Sequence, residues 1–200
     1  DRYARRARQI SENCKFALER IENPLAFNPR PLPNPLNQFD QQYFPVLSAD
    51  RKELFFIKRD HSEEIYTAKL QENGSWGVPA PIDSSLTTKY NEGTCSVSAN
   101  GRTMVYTSCM RRDSYGSCDL YITYNFGGKW TEPVNMGRPV NSAAWDSQPS
   151  LTADGRTLYF VSNRKGGLGK RDIWVTYLKP NGKWSSPENM GPTINTEEDD

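Results

Sequence analysis

An all-β chain made of repeated four-stranded antiparallel sheets is the fold that three observations predict. First, Trp76, Trp130 and Trp184 fall 54 residues apart. Each follows a glycine turn (Asn73-Gly74, Gly127-Gly128, Asn181-Gly182) and precedes a proline by three residues (Pro79, Pro133, Pro187). Second, further landmarks keep the same order and nearly the same period. They are Ser48-Ala49-Asp50, Ser98-Ala99-Asn100 and Thr152-Ala153-Asp154, then Glu64-Ile65-Tyr66, Asp119-Leu120-Tyr121 and Asp172-Ile173-Trp174. Third, 12% aromatic residues with 14 glycines and 14 prolines among 200 suit strands joined by many turns. A period of this size marks units that stack, because one unit cannot bury its apolar face alone.

The third unit shows the design most clearly. Gln148-Pro149-Ser150-Leu151-Thr152 is a short extended run, and Ala153-Asp154-Gly155 turns it. Leu158-Tyr159-Phe160-Val161 is an unbroken apolar run, which reads as a strand buried on both faces. After Gly166, Gly167 and Gly169, the β-branched and aromatic run Asp172–Tyr177 favours a pleated strand. Asn181-Gly182 is a hairpin turn. The last strand, around Lys183-Trp184-Ser185, is expected to end at Pro187, as an edge strand should. Four strands in about 50 residues is the size of a β-propeller blade. Blades are expected over 37–82, 86–137 and 140–191, with a fourth beginning at 195, where Asn195 and Asp200 repeat Asn141 and Asp146. Three blades fall short of the roughly four to eight that close a ring, so the sequence is read as part of a propeller. The tryptophans are expected to anchor the packing of the outer strands.

Residues 1–22 differ. Tyr3, Ala7, Ile10, Cys14, Ala17 and Ile21 recur at helical spacing, with Arg5, Arg6, Arg8 and Lys15 elsewhere around the wheel. An amphipathic helix is expected there, as the end of a helical repeat or docked on the propeller's side. Five prolines between Pro24 and Pro35 then predict a stiff, extended spacer over 23–36.

The Thr152-Ala153-Asp154-Gly155-Arg156-Thr157-Leu158-Tyr159-Phe160-Val161-Ser162-Asn163-Arg164 stretch, with Asp172-Ile173-Trp174, resembles the Pro-Asp type, WD-repeat-like propeller repeat of the TolB family. The resemblance covers about residues 36–200. The first unit departs most: Arg51 replaces the turn glycine, and Gln42 stands where the other units have an acid. The endings Asn135-Met136-Gly137 and Asn189-Met190-Gly191 resemble proteins that join tetratricopeptide helices, this propeller and an OmpA-like peptidoglycan-binding domain at the outer membrane of Bacteroidetes. The resemblance implies a periplasmic, outer-membrane-associated protein with envelope proteins as partners, in a family some of whose members serve type IX secretion. Peptidoglycan would be reached through a domain outside this chain.

Cys109 closes one strand and Cys118 opens the next, so a disulfide across that loop is expected, contributing roughly 2–3 kcal/mol and implying an oxidising compartment. Cys95 is read as a buried free thiol, and Cys14 as helix packing. The single histidine, His61, leaves no material for a triad or a histidine-based zinc site. Gly166-Gly167-Leu168-Gly169-Lys170 is followed by a strand instead of the helix that a phosphate cradle needs. The chain is therefore expected to be no enzyme and to take no cofactor or metal. A net charge of +1 argues against nucleic acid, and no run reaches the length of a transmembrane helix.

Two sets of residues remain. Glu64, Asp119 and Asp172 recur at strand starts, where a carboxylate fixes a turn by accepting backbone N–H bonds. Glu92, Asp146 and Asp200 precede the first strands, and could ring the channel mouth. Beside them, the loops between second and third strands carry Arg59, Arg111, Arg112, Arg164, Lys165 and Lys170. Those cations with Glu92 and Asp146 are the candidate docking face of an interaction scaffold. The competing expectation is a glycan-binding or hydrolytic propeller that uses the acids near its channel.

Overall fold

A computed structural model describes residues 2–200, which divide at Leu32/Pro33 into two units. In the first, α1 spans Arg2–Glu22. Strong helix formers and the absence of proline or glycine through Asn23 allow it. It stops at Asn23, whose N–H donates to Glu19 O at 2.9 Å, just before Pro24. Ile10, Phe16, Leu18 and Ile21 are exposed, and so is Cys14, which corrects the expectation that this thiol is packed.

The second unit holds three sheets in chain order. Sheet 1 is β1 (Gln42–Leu47), β2 (Glu53–Arg59), β3 (Glu63–Lys69) and β4 (Ala80–Pro81). Sheet 2 is β5 (Asn91–Val97), β6 (Thr103–Cys109), β7 (Cys118–Phe126) and β8 (Lys129–Trp130), with β9 (Val134–Asn135) also on β7. Sheet 3 is β10 (Asp146–Leu151), β11 (Thr157–Ser162), β12 (Asp172–Tyr177) and β13 (Glu188–Asn189). Every pairing within the sheets is antiparallel between sequence neighbours, apart from β9, which returns to β7.

The sheets stack face against face, and β6 lies between two of them and is buried over most of its length. β2, whose outer face is covered by Leu36 and Phe39, and β11 are mostly buried as well. Phe55, Ile57 and Ile65 of sheet 1 meet Cys95, Met104, Tyr106, Tyr121 and Trp130 of sheet 2 around Leu86. Val105 and Leu120 of sheet 2 meet Leu151, Leu158, Phe160 and Trp174 of sheet 3 around Val140. Each large side chain removed from water here stabilises by roughly 1.5–3 kcal/mol. Leu86 and Val140 come from the connectors between sheets and plug the seams. Leu36 fills the same role on the free face of sheet 1, against Leu54, Phe56 and Ala68. The end of the proline-rich stretch is thus core, and the exposed spacer is shorter than the prolines suggest. Trp76, Trp130 and Trp184 each pack on the face of their own sheet that carries these plugs.

Pro79, Pro133 and Pro187 do not end the outer strands. Each outer strand is split there: Trp76 bridges Leu70 and Trp184 bridges Leu178 before the proline, and β4 and β13 resume pairing after it. Proline donates no N–H, so a break in the ladder is where an edge strand can accept it. At the β1–β2 turn, Arg51 takes φ 60°, the left-handed conformation that Gly101 (φ 67°) and Gly155 (φ 71°) hold in the other sheets.

Candidate functional site

The loops between second and third strands and the connectors between sheets emerge at one end of the stack. Two carboxylates build that end. Asp119 accepts N–H bonds from Tyr115 (2.7 Å) and Gly116 (3.1 Å), and a third from Asn135 Nδ2 (2.8 Å). Asp172 repeats this with Leu168 (2.5 Å), Gly169 (3.0 Å) and Asn189 Nδ2 (3.1 Å). Both are turn-fixing acids, the role read from their spacing. Glu64, one methylene longer, is half-buried, and its charge bears on Glu92. Asn141 and Asn195 then clamp the connectors to the sheets, each bonding to both main-chain groups of one residue, Leu120 and Ile173 respectively.

The second series of acids is not on a surface. Glu92 and Asp146 are fully buried, which corrects their place on the docking face and at a channel mouth. The reason is register. Each belongs to the first strand, and Glu92 pairs with Ser108 while Asp146 pairs with Ser162, so both side chains enter the layer between sheets. Asp146 accepts from Ser142 N (2.6 Å), Ser162 Oγ (2.5 Å) and Arg164 Nη2 (2.7 Å). Glu92 accepts from the Thr88 hydroxyl and N–H. Burial pushes the Glu92 pKa up to about 7, against those bonds and the Arg111 charge. Asp200 accepts from Thr196 N at 2.7 Å in the same manner.

The cations divide. Arg111 lies over Tyr121 at 4.6 Å and Arg164 over Trp174 at 5.3 Å, with Lys58 over Tyr66 at 5.9 Å in sheet 1. The third-strand aromatic of every sheet therefore carries a cation, and Arg111 and Arg164 are mostly covered. Arg59, Arg112, Lys165 and Lys170 remain exposed, with Lys170 paired to Glu198 at 2.8 Å.

Sequence reasoning missed the apolar tips among these cations. Met110 is 73% exposed, Leu168 48% and Tyr115 47%. Met110 is turned outward by a φ of 63°, a conformation that residue type alone does not announce. The loop that carries Met110, Arg112 and Tyr115 is stapled at its neck by the Cys109–Cys118 disulfide, between residues in direct register. Its base also touches the next connector so closely that a Cβ on Gly116 would fall 1.8 Å from Ala144 O. Arg138 lies over the Tyr115 ring at 5.5 Å. The arrangement is a held loop that exposes an aromatic, a methionine and an arginine.

No protein-family model and no curated protein matches the chain. Among solved structures it is similar to a puromycin-hydrolysing peptidase of Mycobacterium tuberculosis, at 14% identity and a TM-score of 0.52 over 76% of this chain. It is also similar to an oligogalacturonate lyase from Vibrio parahaemolyticus (14% identity, TM-score 0.47, 74% of this chain). A further match is a structure described as TolB from Agrobacterium tumefaciens (18% identity, TM-score 0.41, 76% of this chain). The chain spans 23%, 40% and 62% of the lengths of these three proteins, under two thirds of each.

The chain is part of a β-propeller.

The comparisons also correct the expectation that the chain is no enzyme: the structure matched at a TM-score of 0.52 is a peptidase. The lack of a triad within 200 residues does not argue otherwise, because a chemistry can be carried by parts of a larger protein that this stretch does not span. At these identities the likeness carries the fold alone. Among the described residues, no helix is long and apolar enough to cross a membrane.

Proposed function

We propose that this chain is the interaction module of a bacterial envelope protein and engages protein partners through the loop end of its propeller. The observation that carries this reading is the stapled loop. Met110, Arg112 and Tyr115 stand exposed on it, beside Leu168 and Lys165. Tyrosine, methionine and arginine are the residue types enriched at protein interfaces. Fastening the loop at its neck and base lowers the ordering cost of binding. The disulfide supports an oxidising compartment, which for this reading is the periplasm. The resemblance in the repeats supports the finer reading: an outer-membrane-associated complex such as type IX secretion, with peptidoglycan reached through a domain outside this chain.

The test is cross-linking and capture from the envelope of the source bacterium, with wild type beside the double variants Met110→Asp/Tyr115→Ala and Arg112→Glu/Lys165→Glu. Envelope proteins captured by wild type and lost in both variants, with near-ultraviolet circular dichroism unchanged, are the expected result. Capture that is indifferent to these residues, or confined to cytosolic proteins, overturns the reading.

A further inference from the structure

Four buried side-chain polar atoms stand without a hydrogen-bond partner among the described residues, and three belong to one place: Tyr106 Oη, Ser108 Oγ and Arg111 Nη1. The fourth, Trp174 Nε1, belongs to sheet 3. Tyr106 and Ser108 lie two residues apart on β6, and so share the face turned to sheet 1. Ser108 is opposite Glu92 in the β5–β6 register, and Tyr106 is opposite Tyr121 in the β6–β7 register. The Arg111 guanidinium sits 4.6 Å from the Tyr121 ring centre, and the two tyrosine rings are 6.0 Å apart. Three donors therefore gather beside one buried carboxyl.

Sheet 3 shows what the same positions do when they close. There Ser162 Oγ donates to Asp146 at 2.5 Å, Arg164 Nη2 donates to Asp146 at 2.7 Å, and Phe160 stands where sheet 2 has Tyr106. In sheet 2 the place of Arg164, two residues after the serine, is taken by Met110, which turns outward at φ 63°. The arginine comes one residue later. Its Nε donates to Asp113 at 3.4 Å, and Nη1 is left buried and unbonded. Leaving several such groups buried and unpaired is destabilising, because each has given up its bond to water.

We propose that the seam between sheets 1 and 2 contains a buried water site, held by Tyr106 Oη, Ser108 Oγ and Arg111 Nη1 and donating to the Glu92 carboxyl. Water fits the inventory. It accepts from Arg111 Nη1 and one hydroxyl and donates to the oxygen of the other hydroxyl and to Glu92, and interior waters commonly take about two to four such bonds. An anion does not fit, because it would lie against the Glu92 carboxyl, which Glu64 already bears on, and because Asp113 already neutralises Arg111. An apolar molecule would leave every donor unpaired. Water here does for sheet 2 what the direct Asp146–Arg164 bond does for sheet 3, and it leaves Arg111 free to serve the loop through Asp113.

The sign of a stability change tests this. Ser108→Ala and Tyr106→Phe each delete one hydroxyl and little volume, the second giving the residue sheet 3 uses. In a hydrated site each deletion breaks a bond, and Tm falls by about 2–4 °C. In a dry site each relieves an unpaired hydroxyl, and Tm rises. Ser162→Ala, which breaks a bond already made, is the control for a fall. A crystal structure that resolves waters is the second arm. A peak about 3 Å from at least two of the three atoms is expected. A rise in Tm for both variants, or Arg111 bonded directly to Glu92, overturns the proposal.

Discussion

Glu92→Gln should abolish a pH dependence of stability that runs opposite to the usual one for a carboxylate. Glu92 is fully buried, and burial raises its pKa from 4.5 to about 7 in the folded chain. Between those two values the folded state keeps a proton that the unfolded state has released. Stability from this group is thus fully present below about pH 4.5 and is lost as pH rises to about 7. The gap between the two values, at about 1.4 kcal/mol for each pH unit, makes the loss roughly 3 kcal/mol. Glutamine carries no charge at any pH and keeps one oxygen for Thr88. Urea unfolding of both proteins at several values between pH 5 and pH 8 is the assay. The variant should draw level with wild type near pH 5 and exceed it by roughly 3 kcal/mol at pH 8, less whatever the amide loses on Thr88. The hydroxyls of Ser48 and Thr152 hold Asp50 and Asp154 below the ordinary carboxylate value, and their contribution is lost only as pH falls below the window used. Parallel curves for the two proteins across this range would refute the burial argument.

Two further outcomes are expected. Arg51→Gly should raise stability by about 1 kcal/mol, since Arg51 holds a left-handed φ of 60° that a side chain disfavours; an unchanged or lower urea midpoint would count against strain at this turn. Replacing both Cys109 and Cys118 by serine should cost roughly 2–3 kcal/mol by the loop-closure argument. It should also make the thermal midpoint insensitive to a reductant that lowers that of the wild type.

Much of the architecture was legible in the sequence because its signals are local. Turn residues, apolar runs and the tryptophan period act over a few residues or one repeat. Sequential antiparallel strands pair with their neighbours, so the pairing partner is also the next strand along. The Cys109–Cys118 bond and the turn-fixing roles of Asp119 and Asp172 were readable for the same reason: donor and acceptor lie within ten residues. The candidate face was less so. Glu92 and Asp146 look like surface acids until the register of β5 on β6 and of β10 on β11 turns them inward.

By itself, then, the order of residues determined the repeat, the strands, the stapled loop and the acids that fix the turns, since each depends on near neighbours. Only the tertiary structure decided which charges face water. Arg164 is bonded to an acid from a different strand, Arg111 is held over an aromatic ring, and Met110 is presented by a backbone angle. Those outcomes depend on how sheets meet across a seam and on which side of a strand a residue falls, and a one-residue shift in either reverses them.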